Sequence, residues 1–516
     1  MELKDPNINP IVEKHGVDPT TVEKDVALGQ VRDIGAGLYA EAEQLSAEEV
    51  EQEGAQVLRI LDWRLMPILY ITYVIQFLDK LSLNYASAYS FKTDLGLEGQ
   101  RYSWVAAIFN FGYLFWAIPS NLILQKVPVA KYMGVMLLTW SVIVIAHIGA
   151  TNYAGILVLR FILGMAEAGV SPCMMVITSM FYKRSEQPLR MAIWLSANGM
   201  ATMVGALLGF GLGHAHDGSL HSWKLIFLTI GLLNFVSGVI FLWLMPDSPS
   251  SARFLTHRQR VIAVRRVAEN MIGVKTREIK LKQATECLYD IKVLCCGGIG
   301  IACGVINGGV SNFASALIEG FGFSGIYATI LQLPLGAIEA VIVPICGLVA
   351  TYVPNSRCIV LAVVCLIPFG GLLGIRFTDL DHRWTLVGCS WLQYVVGAPV
   401  IVCWNILSTN IAGHTKRAFA NGIWFTLYAG GNVAGANIFF SREAPRYFSA
   451  LTGLLLCYAG IIVLSAVAYT AMRWSNSERE KAAAMSELSD DLNSSAILDG
   501  FKDMTDMEAK KFRYAL

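Results

Sequence analysis

Arg160 and Glu167 stand seven residues apart in "RFILGMAEAGVSP", inside a run that otherwise reads as apolar helix. Seven positions return a helix nearly to the same face, two turns or about 10 Å along it. A guanidinium and a carboxylate therefore share one stripe, with Gly164 between them leaving space for a ligand or a neighbouring helix. A second set lies in "YVIQFLDKLSLNYA", where Gln76, Lys80 and Asn84 fall on one face at four-residue spacing and Asp79 flanks them. Charges at membrane depth cost several kcal/mol each unless they are paired or face an internal cavity. Two cations and two carboxylates on two helices thus describe a balanced pocket. Arg160, with its planar fork, and Lys80 suit the carboxylate of an anionic substrate. Asp79 and Glu167 suit proton coupling, because a desolvated carboxyl can hold a proton near neutral pH. Mutual neutralisation within the bundle is the plainer alternative, but buried pairs are poor stabilisers.

The second half of the chain is quieter. "CGVINGGVSNF" places Asn307 and Asn312 around Gly308-Gly309, the pattern of a pliable or broken helix that shows its backbone to a cavity. "LQLPLGAIEAV" carries a lone acid, Glu339, a further candidate for the coupling proton. Trp404, Tyr428 and Asn432 are candidate substrate contacts, although packing or interface anchoring is the commoner use of an intramembrane aromatic. His214, His216 and His221 have no regular zinc spacing, and no metal or cofactor is expected. There is no phosphate-binding glycine loop, nucleophile elbow or metalloprotease motif, so neither an ATP-driven pump nor an enzyme finds support.

The elements that must position these groups follow from composition. The chain has 516 residues, 55% of them hydrophobic and 15% charged, with a mean hydropathy of +0.51. Soluble domains carry roughly 25% charged residues. A net charge of +1 makes no electrostatic case for a nucleic-acid partner. The eleven cysteines fall mostly in apolar runs and read as small packing residues. Apolar stretches of about 20 residues, enough to cross a bilayer, recur in two sets of six. The expected organisation is an N-terminal tail (1–65), a six-helix bundle (66–245), a basic linker (246–292), a second bundle (293–472) and a C-terminal tail (473–516). The fold expected is an all-α, multi-pass membrane protein of twelve transmembrane helices. Trp194, Gly205 and Ala206 recur at one offset as Trp424, Gly435 and Ala436, which suggests that the halves are repeats. The linker is rich in Arg and Lys, so the positive-inside rule puts it and both termini in the cytosol.

The stretches "FLDKLSLNYASAY", "RFILGMAEAGVSP", "EQPLRMAIWLSANG", "NGGVSNF" and "NIAGHTKRAFANGIW" resemble the fungal allantoate permease family, anion:cation symporters of the major facilitator superfamily. The resemblance runs from "LRILDWRLMP" to the terminal "FRYAL". It implies a plasma-membrane protein importing small organic anions with protons, such as allantoate, ureidosuccinate, dipeptides, nicotinate, pantothenate or biotin. It also implies that the charged residues of the first and fourth helices bind substrate and protons. Asp79, Lys80, Arg160 and Glu167 occupy those positions. Two departures stand out: Lys80 where the family usually has Arg, and Ala436-Asn437 where it tends to have Pro-Gln. The partners expected are a small organic anion, protons and the lipid bilayer, with the chain a monomer. An exporter of an acidic metabolite has the same architecture, whereas a nutrient receptor would be expected to carry a signalling domain. A protease added outside intact cells is expected to spare the linker 246–292, whereas inside-out vesicles are cut there. External cleavage would overturn the topology.

Overall fold

The computed structural model describes residues 41, 47–124, 127–183, 186–214, 220–268, 280–353, 355–485, 504–509 and 512–516. Most of the N-terminal tail, residues 269–279 of the linker and His216 lie outside them. Twelve helical crossings follow one another. The first six are α1 (Ala47–Ser87), α2 (Arg101–Leu124), α3 (Val129–Ala146), α4 (Tyr153–Glu167, then Val170–Phe181), α5 (Gln187–Leu195, then Ala197–Gly213) and α6 (Ser222–Leu244). The second set is α7 (Ile291–Gly320), α8 (Gly325–Ile330, then Leu333–Tyr352), α9 (Arg357–Phe377), α10 (Arg383–Trp391, then Gly397–Asn410), α11 (His414–Asn437) and α12 (Phe448–Met485). Eight of these, α3 to α9 and α12, are long and apolar enough to cross a membrane by length and composition. Of the other four, α10 is divided by its break, its second piece containing a shorter apolar helix, Gly397–Leu407.

The two halves pack alike. In the first, α1 lies against α5 and α6, α2 against α4, and α3 against α6; in the second, α7 lies against α11 and α12, α8 against α10, and α9 against α12. Contact between the halves follows the same symmetry, through α5 with α8 and α2 with α11. Apolar helices gain no hydrophobic drive from one another in lipid, so they associate through close packing at small residues. At the α2–α4 crossing, a Cβ on Gly164 would sit 2.0 Å from the Phe109 carbonyl, and one on Gly112 2.0 Å from that of Phe161. Gly164 therefore makes room for a helix, not for a ligand. At α7–α11, Gly304 meets the Tyr428 carbonyl and Gly308 that of Asn432 in the same manner. This corrects the reading of the Asn307-Gly-Gly segment as a broken helix: α7 is one continuous helix of 30 residues, and its glycines admit the backbone of α11.

The breaks fall elsewhere. α4 is interrupted after Glu167, α5 at Ser196, α8 at Leu331-Gln332, and α10 passes through a 3₁₀ turn, Leu392–Val395. Hydrogen bonds cross between the halves at the end where α1 leaves the bundle. Asn84 Nδ2 donates to Gln332 Oε1 at 2.8 Å, the Ser315 amide donates to Asn84 Oδ1 at 3.1 Å, and the Tyr102 hydroxyl donates to the Asn312 carbonyl at 2.9 Å.

Much of the linker packs back onto the first half. Helix His257–Ala268 pairs Arg258 with Glu53 and the buried Arg266 with Glu186. The chain end also returns. Asp506, fully buried, accepts from Lys416 at 2.8 Å and pairs with Lys292 at 3.0 Å; Lys416 additionally holds Glu286 and Asp290. Tyr514 exchanges hydrogen bonds with Asn476, and Ala515 with Asn410. Burial opposes the charge of Asp506, but Lys292 and Lys416 outweigh it and hold the carboxyl below its usual range. A depressed carboxyl stabilises the fold above its unfolded pKa and loses that contribution as pH falls through the lower, folded value. Asp506→Asn is therefore expected to lower the thermal midpoint of the solubilised protein at pH 7. The gap from wild type should narrow as the medium is acidified below about pH 4. An unchanged midpoint at pH 7 would show that the docked segment bears no load.

Candidate functional site

A cavity of about 130 Å³ opens between the two halves at the level of the helix breaks. One water needs ~10–15 Å³ on this scale, so there is room for a small organic solute. α1 supplies Gln76 and Lys80, α4 Glu167, α5 Asn198, α7 Asn307, α10 Trp404, and α11 Tyr428 and Asn432. Glu167 ends the first piece of α4, and Asn198 opens the second piece of α5. Lys80 is the one cation and Glu167 the one acid among the described lining residues.

Glu167 accepts from Gln76 Nε2 at 3.1 Å, and its Oε2 has no hydrogen-bond partner among the described residues. The Lys80 ammonium lies 5.6 Å from the centre of the Phe77 ring and forms no ion pair among the described residues. On the opposite wall Asn307 donates to Asn432 Oδ1 at 2.8 Å, and Asn432 donates to the Tyr428 carbonyl at 2.9 Å. Trp424 and Tyr428 stack with ring centres 5.2 Å apart, and Trp404 stands 5.7 Å from Trp424. Charge thus comes from the first half, whereas both halves supply aromatic faces and amides.

Lys80, Glu167, Asn307, Trp404, Tyr428 and Asn432, all singled out from sequence, are brought together here. The structure places the remaining five outside the lining. Asn84 is spent on Gln332 and Ser315, and Asn312 donates to the Gly308 carbonyl at 2.7 Å. Asp79 is fully buried inside the first half, where Trp140 Nε1 donates to it at 2.8 Å. Arg160, also buried, lies over the Phe227 ring at 5.7 Å, within electrostatic range of Asp79. Its Nε and Nη2 have no hydrogen-bond partner among the described residues. The seven-residue spacing fixed only the face of the helix. The cavity lies at the level of Glu167, and Arg160 is two turns away, where the bundle is closed. Glu339, 1% exposed, stands just behind the wall: a Cβ on Gly397, a lining residue, would lie 2.6 Å from Glu339 Oε1.

Sequence reasoning missed Tyr73, Phe109, Asn110, Tyr113, Ser171 and Asn198, which are also among the lining residues. One signal pointed there. Trp194 and Trp424, related by the internal repeat, face the cavity from α5 and α11. Of the histidines, His221 contacts Asp94, and His214 Nδ1 lies 2.8 Å from the Phe210 carbonyl.

A charged and polar cavity between two six-helix halves related by a repeat is the architecture of a secondary transporter. The chain belongs to the Major Facilitator Superfamily, whose family model matches residues 69–436. Within it the chain falls among fungal transporters. It is 32% identical to the allantoate permease of Saccharomyces cerevisiae over 92% of this chain and 89% of that one. It is 34% identical to an uncharacterised transporter of Schizosaccharomyces pombe, over 90% and 87% respectively. A thiamine pathway transporter of S. cerevisiae shares 28% identity over 95% and 94%. Among solved structures, a bacterial homologue of the human lysosomal transporter Spinster superimposes with a TM-score of 0.53 at 14% identity. That match covers 78% of this chain and 94% of the other, and shows the fold.

The geometry is open to a test that does not depend on the cargo. Nine of the eleven native cysteines are buried. A cysteine placed at Ser171 or Asn110 is expected to react in membranes with a small water-soluble thiol reagent, and one placed at Asn84 or Asn312 to stay unmodified, read as mass shift. Labelling of Asn84→Cys with sparing of Ser171→Cys would relocate the cavity.

Proposed function

We propose that the protein imports a small organic anion together with protons across the plasma membrane, as a monomer with both termini in the cytosol. The observation that carries this reading is that Lys80 and Glu167, the one cation and the one acid among the described lining residues, face the same small cavity. A carboxylate cargo would satisfy the ammonium, which has no ion-pair partner among the described residues. A proton on Glu167 would leave the loaded site without excess negative charge. An uncompensated charge in a low-dielectric site is costly, so proton and anion would favour each other's binding. Asn307 and Asn432, locked by their own hydrogen bond, would orient the remainder of the cargo, and Trp404 and Tyr428 would cover it. The similarity to a permease for allantoate, itself a carboxylate, agrees with this choice.

Arg160 takes a different part in this reading, as the internal counter-charge of Asp79. Glu339, behind Gly397, is the next acid a proton could reach.

The test is uptake of labelled carboxylates, allantoate first, into vesicles with and without an inward proton gradient. Lys80→Gln is expected to weaken binding by about ten- to a hundredfold, the worth of one charge-assisted hydrogen bond. Glu167→Gln should abolish accumulation driven by acid while sparing exchange of cargo across the membrane. Transport of lipophilic cations with carboxylates ignored would sink the anion reading. Gradient-driven accumulation by Glu167→Gln would move the coupling acid to Asp79 or Glu339.

A further inference from the structure

A groove of about 730 Å³ lies on the surface of the first half, away from the central cavity, where the middle of α1 meets the start of α3, the end of α6 and the start of the linker. Among the described residues its polar rim carries Arg64, Lys131 and Arg253, against a single acid, Asp247. Lys131 reaches Asp247 only loosely, at 3.8 Å, and its side chain is 73% exposed. Arg64 and Arg253 are exposed and form no ion pair among the described residues. Counted over the described residues, the rim therefore keeps an excess of two positive charges.

Its walls are apolar. Trp63 and Trp243 are 77% and 82% exposed, an exposure that suits an indole only where one edge meets hydrocarbon and the other meets water. Below the rim, Leu232, Val236, Val239, Ile240 and Trp243 are all exposed on α6. Their spacing puts them in one stripe along the helix, which continues the groove into the depth of the bilayer.

We propose that this groove is a binding site for an anionic phospholipid of the leaflet on the linker's side. The phosphate and anionic headgroup sit among Arg64, Lys131 and Arg253, and an acyl chain lies along the α6 stripe between the two tryptophans. Basic pockets between transmembrane helices at a membrane face suit anionic headgroups. Charge complementarity chooses an anionic lipid over a zwitterionic one, and the apolar stripe chooses a lipid over a free phosphate. Because Arg253 belongs to the linker and Arg64 to α1, the lipid would tie the linker to the first half.

The purified full chain in detergent can be titrated with phosphatidylserine, phosphatidylcholine or inorganic phosphate while its thermal midpoint is followed. Phosphatidylserine is expected to raise the midpoint saturably, with phosphatidylcholine and phosphate near baseline. Each basic residue near a membrane surface is worth about 1 kcal/mol toward anionic lipid, so Arg64→Gln, Lys131→Gln and Arg253→Gln combined should weaken the effect about a hundredfold. Equal shifts with phosphatidylserine and phosphatidylcholine would overturn the proposal, as would a phosphate effect matching the lipid's. A second measurement needs no variant. Photoreactive phosphatidylserine with the label in its acyl chain should crosslink wild-type protein near Trp243, in competition with unlabelled phosphatidylserine and not with phosphatidylcholine. Crosslinks spread evenly over the lipid-facing helices would also overturn it.

Discussion

A charge in hydrocarbon costs several kcal/mol unless it is paired or faces an internal cavity, and the arrangement of the first half follows from that constraint. Asp79 and Arg160 are withdrawn into the helix packing, within electrostatic range of each other, and Asp79 takes the Trp140 indole besides. Lys80 and Glu167 are instead given a cavity. Neighbours in sequence, Asp79 and Lys80 point to different sides of one helix and do different work.

Close packing makes this possible. At the α2–α4 and α7–α11 crossings the helices touch backbone to backbone through glycine, so little space is left inside either half. Space remains between the halves, where α4, α5, α8 and α10 are interrupted. An interrupted helix frees backbone groups and changes direction, and such breaks are tolerated at membrane depth only against protein or a cavity. The α5–α8 contact is itself tight, with Gly199 and Gly336 placed so that a Cβ on either would lie 2.3 Å from the other's carbonyl.

Asp506 shows the same economy at the membrane edge. Lys416 is fully buried and would be costly alone; Glu286, Asp290 and Asp506 surround it, and the last of these comes from a segment that reads in sequence as a plain tail. Nothing in the local pattern of residues 504–516 marks it for docking. Its partners lie on α7, α10, α11 and α12 and in the linker, and only the folded bundle brings them to one place.

By itself, the sequence determined the class of the protein. Hydropathy marks eight of the twelve crossings because a bilayer accepts only stretches of a certain length and polarity, and the offset from Trp194 to Trp424 suggested a repeat. Charges at membrane depth also announced themselves, since composition makes them rare. Helical spacing could place such residues on a face but not at a depth, nor say what stood opposite. Asn84 and Asn307 look alike in sequence, yet one clasps the two halves together and the other lines the cavity. Arg160 and Glu167 share a stripe, yet only Glu167 meets the cavity. The tertiary structure decided these roles, because whether a polar group faces a cavity, a partner or a neighbouring backbone depends on helices far away in the chain.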